Sequence, residues 1–241
     1  MNTDLAKDQG HFSEPPLDDM REELDGILRD EGLLAPGRPH LRRLTLACAV
    51  ISEALRRRGM IATLVGGGAI EFYAPGTYAT DDADLVVQSV SGVVDRRRLH
   101  DVFSALRFES SGRHWVRDGF FVEVPGTYLE DPFSEYPVGP YALRVVEKEV
   151  VLVGRLVEFD QTGHTGQGSQ AVAMLRTFAG ELDHSLLAKL LRRERSERVY
   201  EVLWGLAASD QAMTDELLRD VWDGLRGRKP QRDAGHEQEE D

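Results

Sequence analysis

Apolar residues recur three and four apart in "DDMREELDGILRDEGLL", at Met20, Leu24, Ile27 and Leu28, with acids in the first turn that suit the macrodipole. This predicts a helix, broken at Pro36-Gly37. "HLRRLTLACAVISEALRRRG" has the same period and predicts a second helix ending at Gly59. The pattern then shortens. "MIATLV" and "ADLVVQ" read as buried strands, with a brief helical "AIEFY" between them, stopped by Pro75-Gly76. Helical spacing returns between Val93 and Leu106. "HWVR" and "FFVEVP" predict a hairpin turning at Asp118-Gly119, and "YALRVVEKEVVLV" predicts one or two further strands.

From Arg155 onward the pattern is helical again, in "SQAVAMLRTFAGEL", "HSLLAKLLRRE", "RVYEVLWGLAA" and "DELLRDVWDGLRG". "TGHTGQGSQ" has no strand before it and reads as a flexible loop. Polar residues 1–17, with a Pro-Pro pair, predict a loose arm, and the charged residues 228–241 predict a disordered tail. The expected organisation is an α/β (α+β) domain over 18–155, a mixed sheet flanked by helices, followed by a C-terminal helical bundle over 156–227.

Composition narrows the partners. The net charge of −13 argues against bulk electrostatic capture of nucleic acid or an anionic membrane. Arg56-Arg57-Arg58, Arg96-Arg97-Arg98 and the arginines between Arg192 and Arg198 read as solvated helix faces or ends. The single cysteine, Cys48, sits in an apolar run and reads as a small buried hydrophobe. No run of about 18 apolar residues and no signal-peptide core is present, so a cytoplasmic setting without a membrane is expected.

The chemistry concentrates in "LVGGGAIEFYAPGTYATDDADLVV". A dinucleotide fingerprint would need a glycine where Glu71 stands and a longer helix than Pro75-Gly76 allows. A P-loop would need a Gly-Lys-Ser/Thr ending, which is absent. Taken with the aspartates, the glycines suggest something else. Strand side chains alternate, so Asp82 and Asp84 share one face while Ala83, Leu85 and Val87 take the apolar one. Two such carboxylates repel unless they are protonated or bridged by a cation. A hard divalent ion such as Mg²⁺ takes oxygen ligands of this kind. Glu123, a lone charge between Val122 and Val124, offers a third carboxylate from another strand. A glycine turn opening a helix would hold a triphosphate beside the metal, and two metals on shared carboxylates suit phosphoryl or nucleotidyl transfer. The competing reading is structural: a solvated "TDDAD" turn, glycines that serve close packing, and Glu123 on an exposed sheet face.

At these residues the chain resembles the nucleotidyltransferase superfamily, the polymerase-beta-like fold. Within it, the stretch looks most like the bacterial AbiEii-like branch and its small uncharacterised relatives, which read Gly-Gly-x-Ala, a short helix, then Thr-x-Asp-x-Asp-Leu. Gly66, Gly67, Ala69, Thr80, Asp82, Asp84 and Leu85 fall on those positions. The resemblance implies that Gly66 and Gly67, with Gly68 and Thr80 beside them, bind nucleotide. It implies that Asp82, Asp84 and Glu123 are catalytic and bind Mg²⁺, as a two-metal site with an NTP as substrate. Three departures stand out: Gly68-Ala69 replace the serine of many transferases, the third acid is Glu, and the C-terminal Lys-Asp pairs of AbiEii-type proteins are absent.

The expected function is therefore Mg²⁺-dependent transfer of a nucleotidyl group to an RNA or protein acceptor, in a toxin–antitoxin or phage-defence setting. The alternative is a catalytically inactive protein of the same fold that binds a cognate protein partner. Modification of a small cationic acceptor, as by aminoglycoside-modifying relatives of the fold, is a third reading. His100, His114 and His184 have no metal-ligand spacing. Trp115, Trp204 and Trp222 read as packing residues, and Arg113 and Arg117 as solvent-facing strand residues, with phosphate contact as their alternative.

Overall fold

The computed structural model describes residues 16–30, 39–74, 82–209 and 211–227. The expected arm up to residue 15, the tail from 228, and the segment 75–81 lie outside the described residues. The apolar period of the first helices does what it predicts. Helix α1 (Asp18–Arg29) buries Met20, Leu24 and Leu28. Helix α2 (Pro39–Arg56) buries Leu44, Cys48, Ile51 and Leu55, the same 3–4 spacing on one face. Gly59, with φ +70°, turns the chain out of α2 into strand β1 (Met60–Val65).

Helix α3 (Gly66–Tyr73) follows without a linker, then strand β2 (Asp82–Ser89). Asp95 accepts a hydrogen bond from the Arg97 backbone N–H and so caps α4 (Arg96–Ala105). Strands β3 (Glu109–Ser111), β4 (His114–Arg117) and β5 (Phe120–Glu123) form a meander. Asp118 and Gly119 both have positive φ, +49° and +72°, which is the two-residue turn that matches strand twist. Strands β6 (Phe133–Val138) and β7 (Tyr141–Val146) pair as a hairpin.

The seven strands form one mixed sheet in the order β3-β4-β5-β2-β1-β7-β6. β1 runs antiparallel to β2 and parallel to β7, and β2 runs parallel to β5. α1 packs on α2, which lies across β1 and β7 on one face. Trp115 stacks on Phe103 of α4 with ring centroids 4.7 Å apart, a packing role as expected. β6 carries no clear apolar signature because its face alternates between exposed and half-buried residues and Pro137 interrupts it, which an edge strand tolerates.

Three expectations are corrected. "EKEVVLV" is not a strand but the start of helix α5 (Lys148–Thr162), which buries Val151, Leu152, Leu156 and Phe159. Its β-branched composition mimics a strand, whereas its burial follows the helical period. "TGHTGQGSQ" is not a flexible loop. Helix α6 (Thr165–Phe178) starts within it, and its glycines are packing devices: a Cβ at Gly163 would stand 2.8 Å from the Trp222 ring, and one at Gly168 would stand 2.9 Å from Phe159. Arg117 does not face solvent. It is buried, donating to the Leu106 carbonyl at 2.5 Å and pairing with Asp25 of α1.

The remaining helices are α7 (His184–Glu194), α8 (Glu197–Ala207) and α9 (Asp215–Leu225). They pack around α5 and α6 as the expected helical bundle. Arg193 of α7 reaches Asp131 in the β5–β6 connection at 2.7 Å, tying the bundle to the sheet. Among the described residues, no helix is long and apolar enough to cross a membrane.

Candidate active site

The glycine stretch is the hinge between β1 and α3. Gly66 has φ +59°, and a Cβ there would stand 2.1 Å from Asp84 Oδ2, so only glycine lets the turn close on that carboxylate. The Gly67 backbone N–H donates to Asp84. Gly68 has a different task, because a Cβ there would press to within 2.9 Å of the Leu64 side chain. Gly67 and Gly68 are buried and Gly66 is partly exposed. Thr80 lies outside the described residues.

Asp82 and Asp84 open β2, the first exposed and the second half-buried. Their neighbours Ala83, Leu85 and Val87 are fully buried, so the strand alternates as its sequence predicts. The register then adds what sequence spacing could not. β2 and β5 are parallel with Asp84 opposite Glu123, so these two acids sit side by side on the face that also carries Asp82. The distant strand acid is thereby brought to the aspartate pair.

Three acids on one face need compensation. Burial raises the Asp84 carboxyl above its ordinary range, the charges of Glu123 and Asp82 add to this, and the Gly67 N–H and the Arg155 charge oppose it. Glu123 faces basic side chains of the β3–β4 turn and of β4: Arg113 Nε lies 3.3 Å from its Oε1 and His114 Nδ1 lies 3.7 Å from its Oε2. Among the described residues, no group of three or more His, Cys, Asp or Glu side chains is gathered so as to hold a metal ion. Arg113 stays largely exposed, as expected, and also lies beside Glu123.

A cleft of about 310 Å³ begins at Gly66. The sheet contributes Val65, Val86 and Val146, the β5–β6 connection contributes Leu129 and Asp131, and α5 contributes Val150, Val151, Gly154, Arg155 and Glu158. Arg155 Nη1 donates to Glu158 at 3.2 Å and to Gln167 at 2.9 Å, and Gln167 Nε2 donates back to Glu158 at 3.1 Å. Sequence reasoning missed this wall. With α5 read as a helix, Val151, Arg155 and Glu158 fall on one face at 4- and 3-residue steps, which is the signal that could have found it. A larger cleft of about 560 Å³, around Ser52, Glu53, Glu135 and Arg144, contains none of the candidate residues.

No family model and no curated protein matches the chain. Solved structures similar to it include the antibiotic-resistance factor ANT(2'')-Ia, 16% identical, with the match covering 68% of this chain and 98% of that one at a TM-score of 0.44. Another is an antigenic nucleotidyltransferase-like protein from Paracoccidioides brasiliensis, 15% identical, covering 68% of this chain and 92% of that one, again at a TM-score of 0.44. At identities and TM-scores this low, neither neighbour's activity transfers to this chain.

Proposed function

We propose that the chain is a Mg²⁺-dependent nucleotidyltransferase acting on an NTP and an RNA or protein acceptor, with a toxin–antitoxin or defence role as the biological setting. The observation that carries this reading is the register of β2 with β5, which sets Glu123 beside Asp84 on the face carrying Asp82, at the mouth of the Gly66 turn. The donor set suits Mg²⁺: three hard carboxylates on one face, of which Asp84 is disfavoured as an isolated anion. Asp82, Asp84 and Glu123 would hold the metal. When bound, the metal offsets the charge of the attacking oxygen and of the departing pyrophosphate.

The chain's own residues do the rest. The N-terminus of α3 at Gly66 turns a positive dipole end toward the phosphates. The Gly67 N–H holds Asp84 in its orientation. Arg155 of the adjoining cleft, paired with Glu158, places a guanidinium whose charge reaches Asp84. The transfer forms a bond between the acceptor oxygen and the α-phosphorus, breaks the α–β anhydride, and releases pyrophosphate and a proton.

Calorimetry with ATP, GTP, CTP and UTP, with and without Mg²⁺, tests this on wild type and on Asp82→Ala/Asp84→Ala. Mg²⁺-dependent binding that the double variant loses is the expected result. The second reading is an inactive protein of this fold that docks a protein partner. It is favoured by the ion pair between Glu123 and Arg113, which already gives one of the three acids a cation. It predicts no Mg²⁺-dependent NTP binding by well-folded wild type.

A further inference from the structure

One part of the sheet face that carries the acids is left bare. The strand register across β2, β5, β4 and β3 sets two rows on that face: Asp82, Phe121, Val116 and Glu109, then Asp84, Glu123, His114 and Ser111. Neighbouring strands lie about 4.8 Å apart, so Phe121 stands about 5 Å from Asp82 along its row and Val116 about 10 Å. Phe121 and Val116 are half-buried, as is Trp115 on the opposite face of β4. Among the described residues, Trp115 packs against the hydrophobic core and Phe121 and Val116 do not. Nor do α5 to α9 make extensive contact with β3, β4 or β5. An aromatic ring and a valine therefore form an outward shelf in the same row as Asp82.

Arginines rim this shelf. Arg107 and Arg113 bracket β3, and Arg29 at the end of α1 joins Arg107 in a hollow of about 350 Å³ that reaches Val116 and Glu109. Asp25 lies among them, but its close partner is the buried Arg117. Arg29 and Arg107 share that carboxylate only at 3.4 and 3.9 Å and stay 67% and 60% exposed. Arg113 is 77% exposed. Glu109 and Asp118 line the same hollow, and Asp118 lies 3.6 Å from Arg117. Arg107 also holds φ +61°, a left-handed conformation that glycine adopts at helix ends without strain. A long cationic side chain is kept there at a backbone cost.

We propose that this shelf seats the acceptor and that the acceptor is a single-stranded RNA end, with a base stacked on Phe121 and backbone phosphates met by Arg107, Arg29 and Arg113. An aromatic platform beside cations is the chemistry that holds single strands. The net charge of −13 opposes capture over the whole surface, which leaves recognition to this local cluster. The inference rests on the nucleotidyl-transfer reading and names its acceptor. A terminal hydroxyl of the strand supplies the attacking oxygen, which bonds to the α-phosphorus while pyrophosphate and the hydroxyl proton leave.

The test is fluorescence anisotropy of the full chain with a labelled, mixed-sequence oligoribonucleotide of about ten residues, beside calorimetry of NTP with Mg²⁺. Phe121→Ala should weaken RNA binding by about fivefold or more. Arg107→Gly suits the backbone at φ +61°, so its melting temperature should be no lower than that of wild type. It should nevertheless weaken RNA binding by about threefold or more and flatten its salt dependence. Arg219→Ala, the same loss of charge on the exposed side of α9, should leave RNA binding unchanged. Both shelf variants should bind NTP as wild type does. RNA affinity unchanged in Phe121→Ala and Arg107→Gly would overturn the proposal, as would an equal loss in Arg219→Ala. Wild type that binds NTP but no RNA would overturn it too, and would leave a protein as the acceptor. Wild type that binds no NTP would instead overturn the nucleotidyl-transfer reading beneath it.

Discussion

The two faces of β2 and β5 differ in what they were built to do. On one face Ala83, Leu85, Val87 and Val122 are fully excluded from water against the helices of the core. On the other face, one residue away at each step, stand Asp82, Asp84 and Glu123. Apolar burial on the first face stabilises the sheet, at roughly 25 cal/mol per Å² removed from water. The second face works against stability, because burial and mutual repulsion disfavour the charged form of Asp84. A strand can carry both only because its side chains alternate, so the packing of one face anchors the strain of the other.

Substitutions on each face should break this contrast in opposite directions. Leu85→Ala on the packed face should cost about 2–5 kcal/mol in denaturant unfolding. A loss well below that range would mean that this face is not the anchor. Gly66→Ala, at the hinge between the faces, places a Cβ against Asp84 at φ +59°. It should cost about 1–3 kcal/mol and remove Mg²⁺-dependent NTP binding. Wild-type affinity in this variant would detach the turn from the site.

Asp84→Asn should go the other way and stabilise, by about 1–3 °C in melting temperature at pH 7 once solvent access to a half-buried group is allowed for. The sign follows from the raised folded pKa. Wild type keeps the stability of the protonated form below the unfolded carboxylate pKa and loses it as pH rises through the folded value, so the advantage of Asn should grow from pH 3.5 to 7. An advantage independent of pH would rule out charge as its source. The smallest effect is expected at Arg113, which is largely exposed. Arg113→Ala should change stability by less than about 0.5 kcal/mol yet tighten Mn²⁺ binding, since a competitor for Glu123 is removed. Weaker Mn²⁺ binding would show that the arginine supports the site rather than competes for it.

Much of this was visible in the chain before folding. α1, α2, α4, β1, β2 and the Asp118-Gly119 hairpin follow from local period and turn chemistry, and the facing of Asp82 with Asp84 follows from alternation alone. The failures share a cause. "EKEVVLV" carries β-branched residues, so composition points to a strand, but its burial against α3, α6 and α7 selects a helix. The glycines before α6 suggest flexibility until Trp222 and Phe159 are seen packed on them. Arg117 looks like a solvated strand residue until Asp25, 92 positions away, is brought beside it.

By itself, then, the sequence determined the elements whose signal lies within a few residues, and with them the glycine turn and the aspartate pair, because period and steric freedom act locally. Tertiary structure alone decided that β5 lies parallel to β2 with Glu123 opposite Asp84, that Arg117 meets Asp25, and that α5 closes a cleft against the sheet. Those are pairings between residues tens of positions apart. Their geometry is set by which surfaces bury each other, and no local pattern encodes that choice.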